Sequence, residues 1–199
     1  MQLIQLAILF TVMFWSIIRP FDMLTWIMEA APAIIAVIIL SMTYKKFRFT
    51  RIVYWCVLIH CIILLVGAHY TYARVPLFDW FREWFHLSRN NYDKLGHLAQ
   101  GFFPALVVRE ILLRTSPLRK GKWLFFLVVC VCLAVSAFYE FLEWWAGAAM
   151  GGSADDFLGS QGYVWDTQSD MFLAMTGAVL SLILLGGMHD RQITEECPS

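Results

Sequence analysis

The chain has 199 residues, 60% of them hydrophobic and 15% charged, with a formal net charge of zero and a mean hydropathy of +0.64. A water-soluble domain could not hide that much apolar surface, and the balanced charge gives no footing for a nucleic-acid partner. The composition predicts an all-α fold: one integral membrane domain over residues 1–199, built as a polytopic helix bundle.

Taken in chain order, apolar runs of about 20 residues, the length that crosses a ~30 Å hydrocarbon core, fall at roughly 3–18, 23–43, 52–73, 94–114, 123–146 and 170–188. They predict about six transmembrane helices. The first is short, but it lacks the basic n-region and the A-x-A site of a signal peptide and reads as a span. Lys45, Lys46, Arg48 and Arg51 follow the second run, and Arg114, Arg119, Lys120 and Lys122 follow the fourth. The positive-inside rule puts both loops in the cytoplasm, and with them the N- and C-termini.

Between the third and fourth runs, "PLFDWFREWFHLSRNN" (76–91) spaces Leu77, Phe78, Phe81, Trp84 and Phe85 by threes and fours, with Asp79, Arg82, Glu83 and His86 between them. This is a short amphipathic helix lying on the outer membrane surface. Residues 151–170 are glycine-rich and polar, an outer loop long enough to be a binding element. Trp26, Trp123, Trp144 and Trp145 sit near span ends, as interfacial anchors do. Cys56, Cys61, Cys130 and Cys132 fall inside spans and read as small apolar residues; Cys197 lies in the tail.

Most of the fifteen acids fall on the outer side, Asp155 and Asp156 of the long loop among them. Several lie within spans, where a charge costs about 2.5–3.5 kcal/mol at mid-helix and less toward the interface. Asp93, His97 and Gln100 are separated by four and three residues, so they share one face of the fourth span. Glu140 and Glu143 are three apart near the outer end of the fifth, and Asp166 and Asp170 four apart at the start of the sixth. Glu29 and His69 lie at similar depth, and Lys94 can neutralise Asp93 or Asp166. Together they predict an outward-opening polar chamber. Carboxylates with imidazoles presented from neighbouring helices suit a divalent metal, so Asp93, His97, Glu140 and Asp170 are the candidate ligands. Glu140 and Asp166 are the candidate general acid and base. Glu29, His69, Lys94, Gln100 and Glu143 are further lining. The partners this implies are membrane lipids and a lipid-linked substrate. An ion or proton path, metal-free acid–base chemistry and a polar cluster that only pins helices are the alternatives. Elsewhere, Arg109 and Glu110 point ~100° apart and pair with different groups or snorkel. His60 reads as a hydrogen-bonded packing residue, His86 and His189 as solvated. Pro104 is expected to kink its helix, and Gly96, Gly101 and Gly177 to admit close helix approach.

Three blocks, "YDKLGHLAQGFFPALVVREILLR", "SAFYEFLEWWAG" and "DFLGSQGYVWDTQSDMFLAMTGA", resemble the signature blocks of the YjdF-type bacterial inner-membrane proteins, a family of uncharacterised function. The resemblance covers about residues 50–187 and implies a multi-pass protein of the bacterial inner membrane. More distantly, the chain resembles the VanZ-like proteins linked to glycopeptide resistance. They share a D-K-x-x-H step, here Asp93, Lys94 and His97, and a later segment, here Asp166, Asp170 and Gly177.

Overall fold

The computed structural model describes residues 3–150 and 161–196. Much of the predicted outer loop, including Asp155 and Asp156, lies outside the described residues, as does Cys197. Among the described residues there are seven α-helices: α1 (Leu3–Ile17), α2 (Met23–Thr43), α3 (Arg51–Tyr70), α4 (Pro76–Trp84), α5 (Tyr92–Thr115), α6 (Lys122–Met150) and α7 (Asp166–Glu196). A short 3₁₀ turn, Tyr72–Arg74, links α3 to α4. Four helices are long and apolar enough to cross a membrane: α2, α3, α6 and α7. The two others of the expected six differ from that standard for physical reasons. α1 has only 15 residues, ~22 Å at ~1.5 Å per residue. α5 has 24 but carries Asp93, Lys94, Arg109, Glu110 and Arg114.

Long-range hydrogen bonds give the direction of each helix. Ser16 Oγ, at the end of α1, donates to the Leu65 carbonyl late in α3. The Phe21 amide, just before α2, bonds the His69 carbonyl at the end of α3. Thr50, which precedes α3, bonds Glu110 near the end of α5, while Tyr92, at the start of α5, bonds the Ile63 carbonyl. Helices α1, α3 and α6 therefore point toward the end of the bundle that carries α4, and α2, α5 and α7 point away from it.

Parallel α5 and α7 form the closest pair. A Cβ on Gly101 would meet the backbone of Ala174, and one on Gly177 the backbone of Leu98 and Phe102. Glycine at both positions brings the two backbones into contact, as small residues do between membrane helices. Gly96 serves a different neighbour, the ring of Tyr72.

Three expectations change. α4 ends at Trp84, with His86 at φ 52° closing it, so the amphipathic helix is nine residues rather than sixteen. Trp26 is not an interfacial anchor. It is 7% exposed, and its indole donates to Ser16 Oγ at 2.9 Å, locking α2 to α1. Trp123, Trp144 and Trp145 are exposed. His189 is not solvated; it is fully buried in a network at the opposite end of the bundle.

Candidate functional site

α5 builds one wall of the site. Its strip Asp93, Gly96, His97, Gln100 and Pro104 follows the three-and-four spacing of one helix face, and all five line a cavity of ≈150 Å³. Glu29 and Pro32 of α2, His60 and Leu64 of α3, Tyr72, and Val135, Tyr139 and Glu143 of α6 complete it. The steps of four from Val135 to Tyr139 to Glu143 are one face of α6.

Beside the cavity, toward α7, lies a dense ion-pair network. Lys94 Nζ donates to Asp166 Oδ1 (2.7 Å), Ser169 Oγ (2.8 Å) and Asp170 Oδ1 (2.7 Å). Arg89 donates to the same Asp166 oxygen at 2.7 Å and to Asp93 Oδ2 at 3.2 Å. Asp93 and Asp166 both fall in the first turn of their helices, where a carboxylate also meets the positive end of the helix dipole.

His97 stands between this network and the cavity. Its Nε2 lies 3.4 Å from Asp93 Oδ1 and 3.9 Å from Asp170 Oδ2. Its Nδ1 lies 3.1 Å from Gln100 Oε1 and 3.9 Å from Glu140 Oε1. Two sets of metal-type ligand atoms thus share one imidazole: Asp93, His97 and Asp170, and His97, Glu140 and Glu143, each within 4.8 Å of one another.

Among the described residues the charges do not balance. Glu29, Asp93, Glu140, Glu143, Asp166 and Asp170 face the site, and the cations within ion-pair distance of them are Arg89, Lys94 and, when protonated, His97. The pairs with Arg89 and Lys94 fall on the aspartates. Among the glutamates, Glu29 is 4% exposed and Glu140 7%, and Oε2 of the first and Oε1 of the second have no hydrogen-bond partner. His60 is not the hydrogen-bonded packing residue expected: its Nε2 is buried without a partner, and the ring lines the cavity, stacked on Phe103.

The site therefore gathers Glu29, Asp93, Lys94, His97, Gln100, Glu140, Glu143, Asp166 and Asp170. It does not gather His69. That ring bonds the Ser16 carbonyl and packs on Trp15 at 4.4 Å, on the α1 side of α3. The right depth on the wrong helix face explains its absence. Arg89 was not anticipated, because it lies in the loop before α5, where helical spacing gives no guide. Tyr139 was legible as the residue four before Glu143.

At the opposite end, Glu110 and His189 are both fully buried. Glu110 accepts from the Thr50 hydroxyl (2.7 Å), Arg114 (2.6 Å) and His189 Nε2 (3.0 Å). Arg109 meets His189 Nδ1 and Asp190. Each group there has its partners.

The sequence matches the family described as "Predicted membrane protein (DUF2238)" over residues 1–191. The chain belongs to this family. The match takes in the first fifty residues, which the sequence blocks did not cover. The chain is also 52% identical over 182 residues to the inner membrane protein YjdF of Escherichia coli strain K12, covering 92% of this chain and 87% of that protein. No solved structure matches.

Proposed function

We propose that the chain is a six-span protein of the bacterial inner membrane, forming a single membrane domain with both termini cytoplasmic. In this reading it holds a divalent cation in its outer chamber and acts through that ion on a lipid or lipid-linked envelope substrate. α5 counts as a span because its charged side chains are turned to the network and the chamber rather than to lipid. α1 counts because it runs alongside α3. The basic loops, from Lys45 to Arg51 and from Arg114 to Lys122, lie at the end away from α4, which supports an outer position for the chamber. The relative's name, an inner membrane protein, supports the location.

One observation carries the metal reading: a buried imidazole stands between carboxylates that outnumber their cations, with two carboxylate oxygens left unpaired. Removing such groups from water without partners is costly, and a cation in their midst offsets that cost. Asp93 Oδ1, His97 Nε2 and Asp170 Oδ2 are the favoured ligands. Ligands on one ion at ~2.0–2.2 Å stand about 3–3.5 Å apart, close to the spacing already present. Gln100 Oε1 accepts from His97 Nδ1–H, leaving Nε2 as the free lone pair, the tautomer control common around metal-bound histidine. Arg89 and Lys94 hold the outer oxygens of the aspartates. Asp166, whose Oδ1 is shared by both cations, orients its neighbours. Glu140, with Oε1 unpaired beside the ring, is the better general base. Together they supply the parts for metal-assisted hydrolysis of an ester or phosphoester.

Elemental analysis of purified protein tests this. Wild type is expected to carry close to one divalent ion per chain, with Asp93→Asn, His97→Ala and Asp170→Asn each losing it. Metal-free wild type, or variants that match wild type in metal content and stability, would favour a cluster that only pins helices. Metal bound without turnover of any lipid ester would favour a binding or transport role.

A further inference from the structure

Directly against the acidic chamber runs a second cavity of ≈320 Å³, which shares Pro32, His60, Leu64 and Pro104 with the first. Its walls include Ala36 and Leu40 of α2, Val57 and Cys61 of α3, and Val107 and Ile111 of α5. On α5 alone it extends from Phe103 to Ile111, ~12 Å along the helix at ~1.5 Å per residue. A water in such a cavity needs two to four polar partners, and a metal ion needs several ligands. His60 and Cys61 are the wall residues with polar side-chain atoms; the thiol behaves as a small apolar group, and His60 sits at the mouth shared with the chamber. The cavity suits hydrocarbon.

The chamber end suits a particular head. Arg89 and Lys94 are turned to the aspartates on the α7 side, so a head entering from the apolar cavity meets Glu29 of α2, Tyr139 and Glu143 of α6 and Tyr72, facing Asp93, His97 and Gln100 of α5. Glu29 is 4% exposed with Oε2 unpaired. Two carboxyls flanked by tyrosine rings repel a bare phosphate and attract an ammonium, through charge-assisted hydrogen bonds and the ring faces. α2 packs chiefly on α3, which leaves its far side as the route of entry from the membrane.

We infer that the two cavities form one slot for an amino-headed membrane lipid, with its ammonium between Glu29 and Glu143 and one hydrocarbon chain between α2, α3 and α5. This rests on the chamber being a binding site, as proposed above, and names what it takes; it does not depend on the metal.

The test uses full-length protein in nanodiscs that contain either phosphatidylethanolamine or phosphatidylglycerol with a diazirine near the chain end. Irradiation is followed by peptide mapping. The amino-headed probe is expected to label Val57, Val107 or Ile111, and the anionic probe about tenfold less, since loss of a charge-assisted bond is worth a factor of that order. Glu29→Gln is expected to reduce amino-lipid labelling by about the same factor. Ala36→Trp is expected to plug the slot and abolish labelling there, while Ile38→Trp, on an exposed position of the same helix, leaves it unchanged. Equal labelling by both probes, or labelling insensitive to Glu29→Gln, overturns the slot. Should Ala36→Trp melt early, the probe comparison on wild type and Glu29→Gln decide alone. Metal content is measured on the same preparations. Groove labelling that persists in metal-free Asp93→Asn protein supports the slot independently of the ion, and metal retained without groove labelling overturns the slot alone.

Discussion

Lys94 is the residue on which the α5–α7 contact turns. Its ammonium meets Asp166, Ser169 and Asp170 within 2.8 Å, and its side chain is 18% exposed. Replacing it with Met leaves Asp170 without the cation at its Oδ1, in a setting with little water to substitute. Breaking a buried pair from one side typically costs ~3–5 kcal/mol, so Lys94→Met is expected to lower the melting temperature in detergent steeply. Adding Asp170→Asn is expected to recover part of that loss, with a coupling of ~0.5–3 kcal/mol. A melt unmoved by Lys94→Met would show the bridge to be slack and solvated. The local half of this arrangement was readable in advance. Asp93, His97 and Gln100 lie on one helix, and helical geometry alone puts them on one face. The other half was not. Which oxygen Lys94 chooses, and the entry of Arg89 from a loop, depend on how α7 is placed.

At the scale of the elements, glycine spacing decides that placement. Gly177 faces the backbone of Leu98 and Phe102, whereas a Cβ on Gly186, nine residues on in the same helix, would meet nothing within 4 Å. Gly177→Ala is therefore expected to destabilise by the ~1–3 kcal/mol typical of overpacking, measured as thermal stability in detergent. Gly186→Ala is expected to be neutral or to stabilise by up to ~1 kcal/mol through helix propensity. Equal effects at the two sites would remove the close crossing. The entry to α2 offers a pH-dependent counterpart. Asp22 Oδ2 accepts the Thr25 amide at 2.7 Å, and that bond holds its carboxyl below the ordinary carboxylate range. A group depressed in the folded state contributes stability above its unfolded pKa and loses it as pH falls through the folded one. Asp22→Ala is expected to cost ~0.5–2 kcal/mol at neutral pH, a difference that vanishes in strong acid. Helix ends themselves were only partly legible. The polar first turn of α7, from Asp166 to Asp170, looks like loop by hydropathy, and its charges become tolerable only once Lys94 and Arg89 meet them.

The whole molecule sets two polar clusters at opposite ends of one bundle, and they differ in kind. Around Glu110 every charge is answered: Thr50, Arg114 and His189 converge on a fully buried carboxylate and tie α3, α5 and α7 together. Around Glu29 the acids are in surplus, and Oε2 of Glu29 and Oε1 of Glu140 are buried without hydrogen-bond partners. Sequence could locate both sets by depth, but it could not tell the closed cluster from the open one, because that difference lies in partners brought from other helices. Stability should separate them. Glu110→Gln removes the anion that His189 and Arg114 share and is expected to cost ~3–5 kcal/mol without changing metal content. Glu29→Met removes a buried carboxyl with one oxygen lacking a hydrogen-bond partner, and so lifts a burial penalty of ~1–3 kcal/mol. At ~2–4 °C per kcal/mol for a chain of this size, its melting temperature in detergent free of amino-lipid is expected to hold or rise. A fold that retains a group whose removal strengthens it is keeping that group for a ligand. If Glu29→Met instead melts as low as Glu110→Gln, the acids around Glu29 hold the helices together just as those around Glu110 do, and the chamber loses its claim to be a site.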